Sequence, residues 1–329
     1  MSPPPLTLSV VIPTYRREQV LVDTVGHLLE QADDTPGFLE LVLVDQTERH
    51  EPATERRLGA WVARGRIQWM RRKEPHLTRA MNRGLVEARG AIVLFTDDDI
   101  IPAPDLIRRH LAAYAEHPGT WAVVGQILQP GEVPEDLPYS PRGGHLRRFL
   151  DFPFRRTRGA FVENAMAGNL SMVREKALAL GGFDENFTPP VASRFESEFA
   201  KRLVAAGGAI WYEPRASIRH LQAAHGGTRS QGSHLNSLSP RYGVGDYYFA
   251  LRQGAGWEKW WYILKKPFRE VRTQYHLRHP WWIPLKLIGE LRAMAAALRL
   301  HRQGPRLFGA PVAPPDGPPG GPPDGTTPR

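Results

Sequence analysis

Two rhythms of apolar residues alternate through the first hundred positions. Short, nearly continuous apolar runs at Leu8–Ile12, Leu39–Val44, Ile67–Met70 and Ala91–Thr96 have the length and composition of buried strands. Between them apolar residues recur three and four apart: Val22, Val25, Leu28 and Leu29 within Glu18–Gln31, then further helical stretches near Thr54–Ala63 and over Leu77–Ala88. Pro13 is expected to end the first strand, and Gly90 the last of these helices. Strands alternating with helices predict βαβ units and a largely parallel sheet. In such sheets ligands bind outside the carboxyl ends of the strands. Three polar groups fall there: Thr14–Arg17, Asp45 and Asp97–Asp99. Further on, Ile210–Arg219 reads as a strand with a short extension, with Trp211 and Tyr212 as core.

Composition narrows the class. The chain has 329 residues, 41% of them hydrophobic, enough for one large α/β domain with an appendage or two modest domains. It has no cysteine, which excludes a disulfide scaffold, a cysteine nucleophile, zinc fingers and iron–sulfur ligation. Met1-Ser-Pro-Pro-Pro has neither a basic start nor an apolar run, so no secretory signal is expected. No apolar stretch approaches the roughly 18 residues of a membrane-spanning helix. The net charge is +9, and its excess is local: Trp257 to Arg302 carries ten Lys and Arg against Glu258, Glu270 and Glu290. Residues 310–329 are dominated by Pro and Gly, a composition that cannot bury a core.

The candidate chemistry begins at Asp97-Asp98-Asp99, directly after Ile92–Phe95 and Thr96. Three adjacent carboxylates repel one another unless solvated or neutralised by a cation. The cluster alone fits a solvated turn capping a helix near Pro104 as well as it fits a metal site; its position at a strand end favours the metal.

Six ordered segments spanning roughly residues 6–225 resemble the family 2 glycosyltransferases, which have the GT-A fold. Ser9-Val-Val-Ile-Pro-Thr-Tyr-Arg16 is similar to the family's first strand and nucleotide-holding turn, and Leu41-Val-Leu-Val-Asp45 to its second strand. Ala80-Met-Asn-Arg-Gly84 resembles the helix under the diphosphate, and Phe95-Thr-Asp-Asp-Asp99 the DxD motif. Gly181-Gly-Phe-Asp-Glu185 looks like the acceptor-side loop. Arg194-Phe-Glu-Ser-Glu-Phe-Ala-Lys-Arg-Leu203 is similar to the helix that carries the catalytic base. Two departures stand out. Asp45 is followed by Gln46 where the family commonly has a second Asp, and Glu196 falls on the position of the usual catalytic Asp.

The resemblance implies roles residue by residue. Glu196 is the expected base for the acceptor hydroxyl. Pro13, Thr14, Tyr15, Arg16, Asp45, Arg79, Asn82, Asp97, Asp98 and Arg229 are expected to bind the nucleotide, with Asn169 and Asp184 near the sugars. Asp99, Asp97 and His220 are expected to hold Mg²⁺ or Mn²⁺. The paired Gly226 and Gly227 beside Thr228 and Arg229 suggest a mobile lid within residues 216–240. Each has a plainer alternative: an exposed helix carboxylate beside Glu198, Lys201 and Arg202 for Glu196, a structural histidine for His220, a flexible loop for the lid.

The expectations are therefore an α/β, GT-A Rossmann-like, mostly parallel sheet sandwiched by helices over residues 1–250, a basic helical extension over 251–303, and a disordered tail over 304–329. In the extension, Leu287, Leu291, Met294 and Leu298 recur at helical spacing, and Trp257, Trp260, Trp261, Trp281 and Trp282 lie among cations. That mixture suits a membrane surface, a basic helical pair packed on the catalytic fold, or single-stranded nucleic acid; without a nucleic-acid module the last ranks lowest, and no nucleic-acid partner is expected. The implied activity is inverting, metal-dependent transfer of one sugar from a UDP-, GDP- or dTDP-sugar to a glycan or lipid-linked acceptor in cell-surface glycan assembly. The expected location is cytoplasmic, peripheral on the inner face of the membrane through residues 257–302. The alternatives are a catalytically inactive nucleotide-sugar- or membrane-binding scaffold and, less favoured, a sugar-nucleotide pyrophosphorylase, whose Gly-rich opening loop Pro13–Arg17 lacks.

Overall fold

The computed structural model describes residues 6–141, 144–148, 150–187, 193–227 and 235–308. The first part alternates as the apolar rhythm predicts: β1 (Leu8–Thr14), α1 (Gln19–Ala32), β2 (Phe38–Asp45), α2 (Pro52–Ala63), β3 (Gln68–Arg71), α3 (Leu77–Glu87) and β4 (Ile92–Thr96). Then follow β5 (Ile100–Pro102), α4 (Leu106–Glu116), β6 (Thr120–Leu128), β7 (Ala160–Val162), β8 (Asn169–Val173), α5 (Arg174–Ala179), α6 (Phe195–Ala205) and β9 (Ala209–His220). Four helices close the described chain: α7 (Arg241–Gln253), α8 (Gly256–Val271), α9 (Gln274–Arg278) and α10 (Trp282–Gln303).

The strands form one sheet in the order β3-β2-β1-β4-β8-β6-β9-β5, with β7 also paired to β9. From the pairings, β1, β2, β3, β4, β6 and β9 run one way and β5, β7 and β8 the other. Six carboxyl ends therefore meet at one edge. Two-residue alternation along β1 divides the core: Leu8, Val10 and Ile12 pack with Leu21, Val25 and Leu28 of α1 on one face, while Val11 joins Ala80 and Leu85 of α3 on the other. A Cβ on Gly84 would lie 2.2 Å from Val11 Cγ1, so only glycine lets α3 sit this close to β1.

One expectation is corrected. Pro13 does not end β1. Thr14 O faces β2, where it accepts from Gln46 N at 3.0 Å, so Pro13 points its missing N–H toward the β4 side. Pairing with β4 has already stopped at Val11, so no ladder bond is lost. In α10 the leucine stripe is only partly packed: Met294 and Leu298 lie against the core, Leu291 is exposed, and the fully buried line is Lys286, Gly289, Glu290, Ala293 and Ala297. Small residues let α10 lie closely on α7, and Lys286 is buried because Glu290 meets it at 2.8 Å.

The expected junction at residue 250 falls inside α7. Among the described residues no helix is long and apolar enough to cross a membrane. Residues 309–329, most of the expected tail, lie outside the described residues.

Candidate active site

The converging strand ends bring the charged groups together. Thr14, last in β1, donates its hydroxyl to Asp98 Oδ2 at 2.7 Å. Arg16 takes a left-handed backbone (φ 53°), and the chain turns Arg17 inward, where only 5% of its side chain is exposed. Its Nε meets Asp98 Oδ1 at 3.1 Å and a terminal nitrogen meets Asp99 Oδ2 at 3.0 Å. The other terminal nitrogen donates to the carbonyls of Ala223 (3.1 Å) and His225. Gly227 N donates to Tyr15 O at 2.8 Å, and a Cβ on Gly226 would fall 2.2 Å from Arg16 O. One guanidinium thus joins the β1 turn, the acidic cluster and the segment after β9. Burial pushes the Asp98 carboxyl up to about 6 against the opposing Arg17 charge. Burial also opposes ionisation of Asp99, but hydrogen bonding to His220 and the Arg17 charge hold it below the usual carboxylate range.

Asp97 and Asp99, just past β4, and His220, last in β9, each present one donor atom within 4.8 Å of the others. His220 Nε2 lies 3.1 Å from Asp99 Oδ1 and 3.6 Å from Asp97 Oδ2. On the far side of the ring, Nδ1 lies 3.0 Å from Gln129 Oε1, an acceptor. That contact keeps a proton on Nδ1, so Nε2, which bonds Asp99 here, is the nitrogen that would face an ion once its own proton is displaced. A Cβ on Gly168 would come within 2.3 Å of Asp97 Oδ2, so glycine makes room for that carboxylate. Two carboxylates and a neutral imidazole suit Mn²⁺, and Mg²⁺ when other oxygens complete its shell.

Glu196 lies in the first turn of α6. The residue before the helix, Arg194, is left-handed (φ 72°) and is held by Asp246 of α7 at 2.9 Å. Glu196 Oε2 is buried with no hydrogen-bond partner. Burial pushes its carboxyl up to about 7, and the negative charge of Asp97 adds in the same direction. The solvated acidic helix considered as its alternative is not found. Glu198 is buried against Arg202 (2.8 Å) and Gln253 (3.0 Å), and Lys201 against Glu163 (2.8 Å).

Other expected ligand residues are engaged by protein. Asp45 is wholly buried: Oδ2 lies 2.8 Å from His50 Nε2 and accepts from Trp69 Nε1 at 2.9 Å, and Oδ1 accepts from Thr47 N. Asn169 is wholly buried between His110 and the carbonyls of Gln126 and Ala216. Asp184, equally buried, accepts from Tyr248 and from the backbone of Asn186 and Arg306. Asn82 bonds both backbone groups of Phe183, which ties α3 to the Gly181–Glu185 turn. Pro13 and Tyr15 are half-buried and Arg16 is exposed, its N–H bound to Thr47 Oγ1. Arg79, paired to Glu185 at 3.1 Å, lines a cleft of about 450 Å³ with Gln46, Arg71, Arg72, Lys73, Glu74, His76 and Ala80. Arg229 lies outside the described residues, as does 228–234 of the expected lid.

Residues 9–179 match the sequence profile of Glycosyl transferase family 2. No curated protein sequence matches the chain. The fold is similar to that of GalNAc-T7, solved with UDP, GalNAc and Mn²⁺, at 17% identity and a TM-score of 0.55. That match covers 77% of this chain and 52% of GalNAc-T7, so this chain spans about half of that protein. It is also similar to TarS residues 1–349 of S. aureus, at 14% identity and a TM-score of 0.55, over 91% of this chain and 92% of that fragment.

Proposed function

The chain belongs to glycosyl transferase family 2, and from that premise we propose that it transfers one sugar, with inversion, from a nucleoside-diphosphate sugar to an acceptor hydroxyl, with Glu196 as the base. The observation that carries this reading is the buried, unpartnered Glu196 Oε2, whose carboxyl sits near neutrality within reach of the Asp97 charge. A carboxylate with one oxygen unbonded is ready to accept a proton, and an affinity near neutrality suits general-base work. In the proposed reaction the acceptor oxygen bonds to the anomeric carbon as its proton moves to Glu196 Oε2. The bond from that carbon to the phosphate oxygen breaks, and its electron pair leaves on the nucleoside diphosphate.

Asp97, Asp99 and His220 would hold a divalent ion, Mg²⁺ or Mn²⁺, with Gln129 fixing the histidine tautomer. Such an ion supplies neutralising charge for the diphosphate leaving group. Arg71, Arg72, Lys73 and Arg79 give the cleft beyond β2 and β3 a charge that suits a nucleoside diphosphate. Pro13–Arg16, Asn82 and Asp98 border or brace the donor. The acceptor is a glycan or lipid-linked glycan in cell-surface assembly, met on the cytoplasmic side.

Thermal-shift measurements with UDP, GDP and dTDP, each with and without Mn²⁺, test the donor assignment. One nucleotide should raise Tm in a Mn²⁺-dependent way, because a ligand of the folded state stabilises it by mass action. Asp99→Ala should lose the Mn²⁺-dependent part. A shift indifferent to metal, or equal in the variant, would remove these residues from the metal site. Once the donor is known, kcat/KM should fall about tenfold per unit as pH drops below about 7, since only ionised Glu196 accepts the proton. A profile flat between pH 5.5 and 8 would count against Glu196.

A further inference from the structure

The outward face of α8 reverses the usual polarity of a surface helix. Trp257, Trp260, Trp261, Leu264 and Phe268 recur at three- and four-residue spacing, and all five are exposed, Trp257 by 69% and Phe268 by 66%. At 100° per residue they fall within an arc of about 100°, one continuous apolar stripe. The opposite side holds the buried Tyr262, Ile263 and Lys266. Lys266 fixes the helix's rotation, with its ammonium 3.1 Å from Glu290 and 3.3 Å from Glu270. Tyr262 adds a hydroxyl bond to Asp246 at 3.1 Å. Turning the tryptophans inward would strand these charges, so the stripe is built to face outward.

We propose that this stripe is a docking surface for an anionic lipid bilayer, with the indoles at head-group depth. The charges beside it select that occupant. Lys265, Arg269 and Arg272 are exposed along one border of the stripe, and Lys265 Nζ sits 4.1 Å from the centre of the Trp261 ring. The acids of α8 turn away: Glu258 accepts from Leu146 N, and Glu270 is engaged by Lys266 and Lys286. Apolar side chains bordered by exposed cations match acyl chains beneath anionic head groups. A second copy of this face would bring only the same cations. Residues 309–329 hold no aromatic side chain and only Val312 as a sizeable apolar one, so that segment does not match the stripe. The surface is independent of the proposed catalysis, and lipid binding is read without turnover.

The test is co-sedimentation of the full chain with vesicles of phosphatidylcholine alone and of phosphatidylcholine with 30% phosphatidylglycerol (about a third anionic, to give a negative surface potential). The chain should bind the anionic vesicles, weaken as salt rises, and shift its tryptophan emission to the blue. Trp260→Ser with Trp261→Ser and Phe268→Ser should weaken binding about tenfold or more, and Lys265→Gln with Arg272→Gln should remove the preference for anionic lipid. These positions are exposed, and an unchanged Tm in each variant excludes misfolding as the cause. No binding by the parent chain, or equal binding by the triple variant, overturns the proposal. So does a dimer in light scattering that the triple variant abolishes, which would make a second copy the occupant.

Discussion

Replacing Glu196 with Gln is expected to lower kcat by about a hundredfold to ten-thousandfold, the usual contribution of a positioned base, with little change in donor KM. Gln keeps the size of the side chain and removes its capacity to take a proton. The same variant should be more stable than the parent at pH 8. Glu196 ionises near 7 in the folded chain against an ordinary 4.5, so between those values the folded state holds a proton that the unfolded state has released. Stability therefore falls as pH rises through that window, and Gln removes the cost. Melting curves at pH 4 and pH 8 read this directly: the variant's advantage should grow toward pH 8. Loss of activity with no stability gain would mean that Glu196 is not confined as described, while full activity would remove it from the chemistry.

Replacing Arg17 with Met should have the largest effect on folding. Asp98 and Asp99 are buried against its guanidinium, and leaving buried charges without a partner typically costs about 3–5 kcal/mol. For a chain of this size, with an unfolding entropy of about 0.7 kcal/mol/K, that is a fall in Tm of about 4–7 °C. The deficit should widen from pH 5 to pH 8, because the uncompensated carboxylates resist ionising and the folded state retains their protons. Mn²⁺ should restore more Tm to the variant than it adds to the parent, since it replaces the positive charge that Arg17 no longer brings to the cluster. A loss below about 1 kcal/mol, or no differential response to Mn²⁺, would show that the guanidinium is not what balances the cluster.

The parts read correctly from sequence are those with local causes. β1 to β4 and α1 to α3 lie within a few residues of their expected bounds, because each shows its burial as a short-range periodicity. The strand-end rule led to Asp97–Asp99, and the same rule covers Gln129, the residue after β6, although a lone Gln offers no chemical signature. Arg17 was visible as part of a polar turn, but its function rests on contacts with Asp98, Asp99, Ala223 and His225, some 80 to 210 residues away. Asp45 is legible as a carboxylate at the end of β2, but its bonds to His50 and Trp69, unremarkable alone, are not. In α10 the fully buried line is hidden for a different reason. Hydropathy assigns Lys286 and Glu290 to solvent, yet each is buried by the other.

That buried pairing continues through the molecule. Glu290 of α10 meets Lys266 of α8, Lys266 lies 3.8 Å from Asp246 of α7, and Asp246 holds Arg194 two residues ahead of Glu196. With Lys286 and Glu270, six charges from three C-terminal helices and the loop before α6 therefore share one balance. A neutral replacement at any of them unbalances the buried charges that remain, and a matching change elsewhere relieves it. Among descendants of this sequence, the base-bearing helix and the C-terminal helices are accordingly constrained to coevolve. An exchange of either part with a relative would succeed only when its charge partners travelled with it.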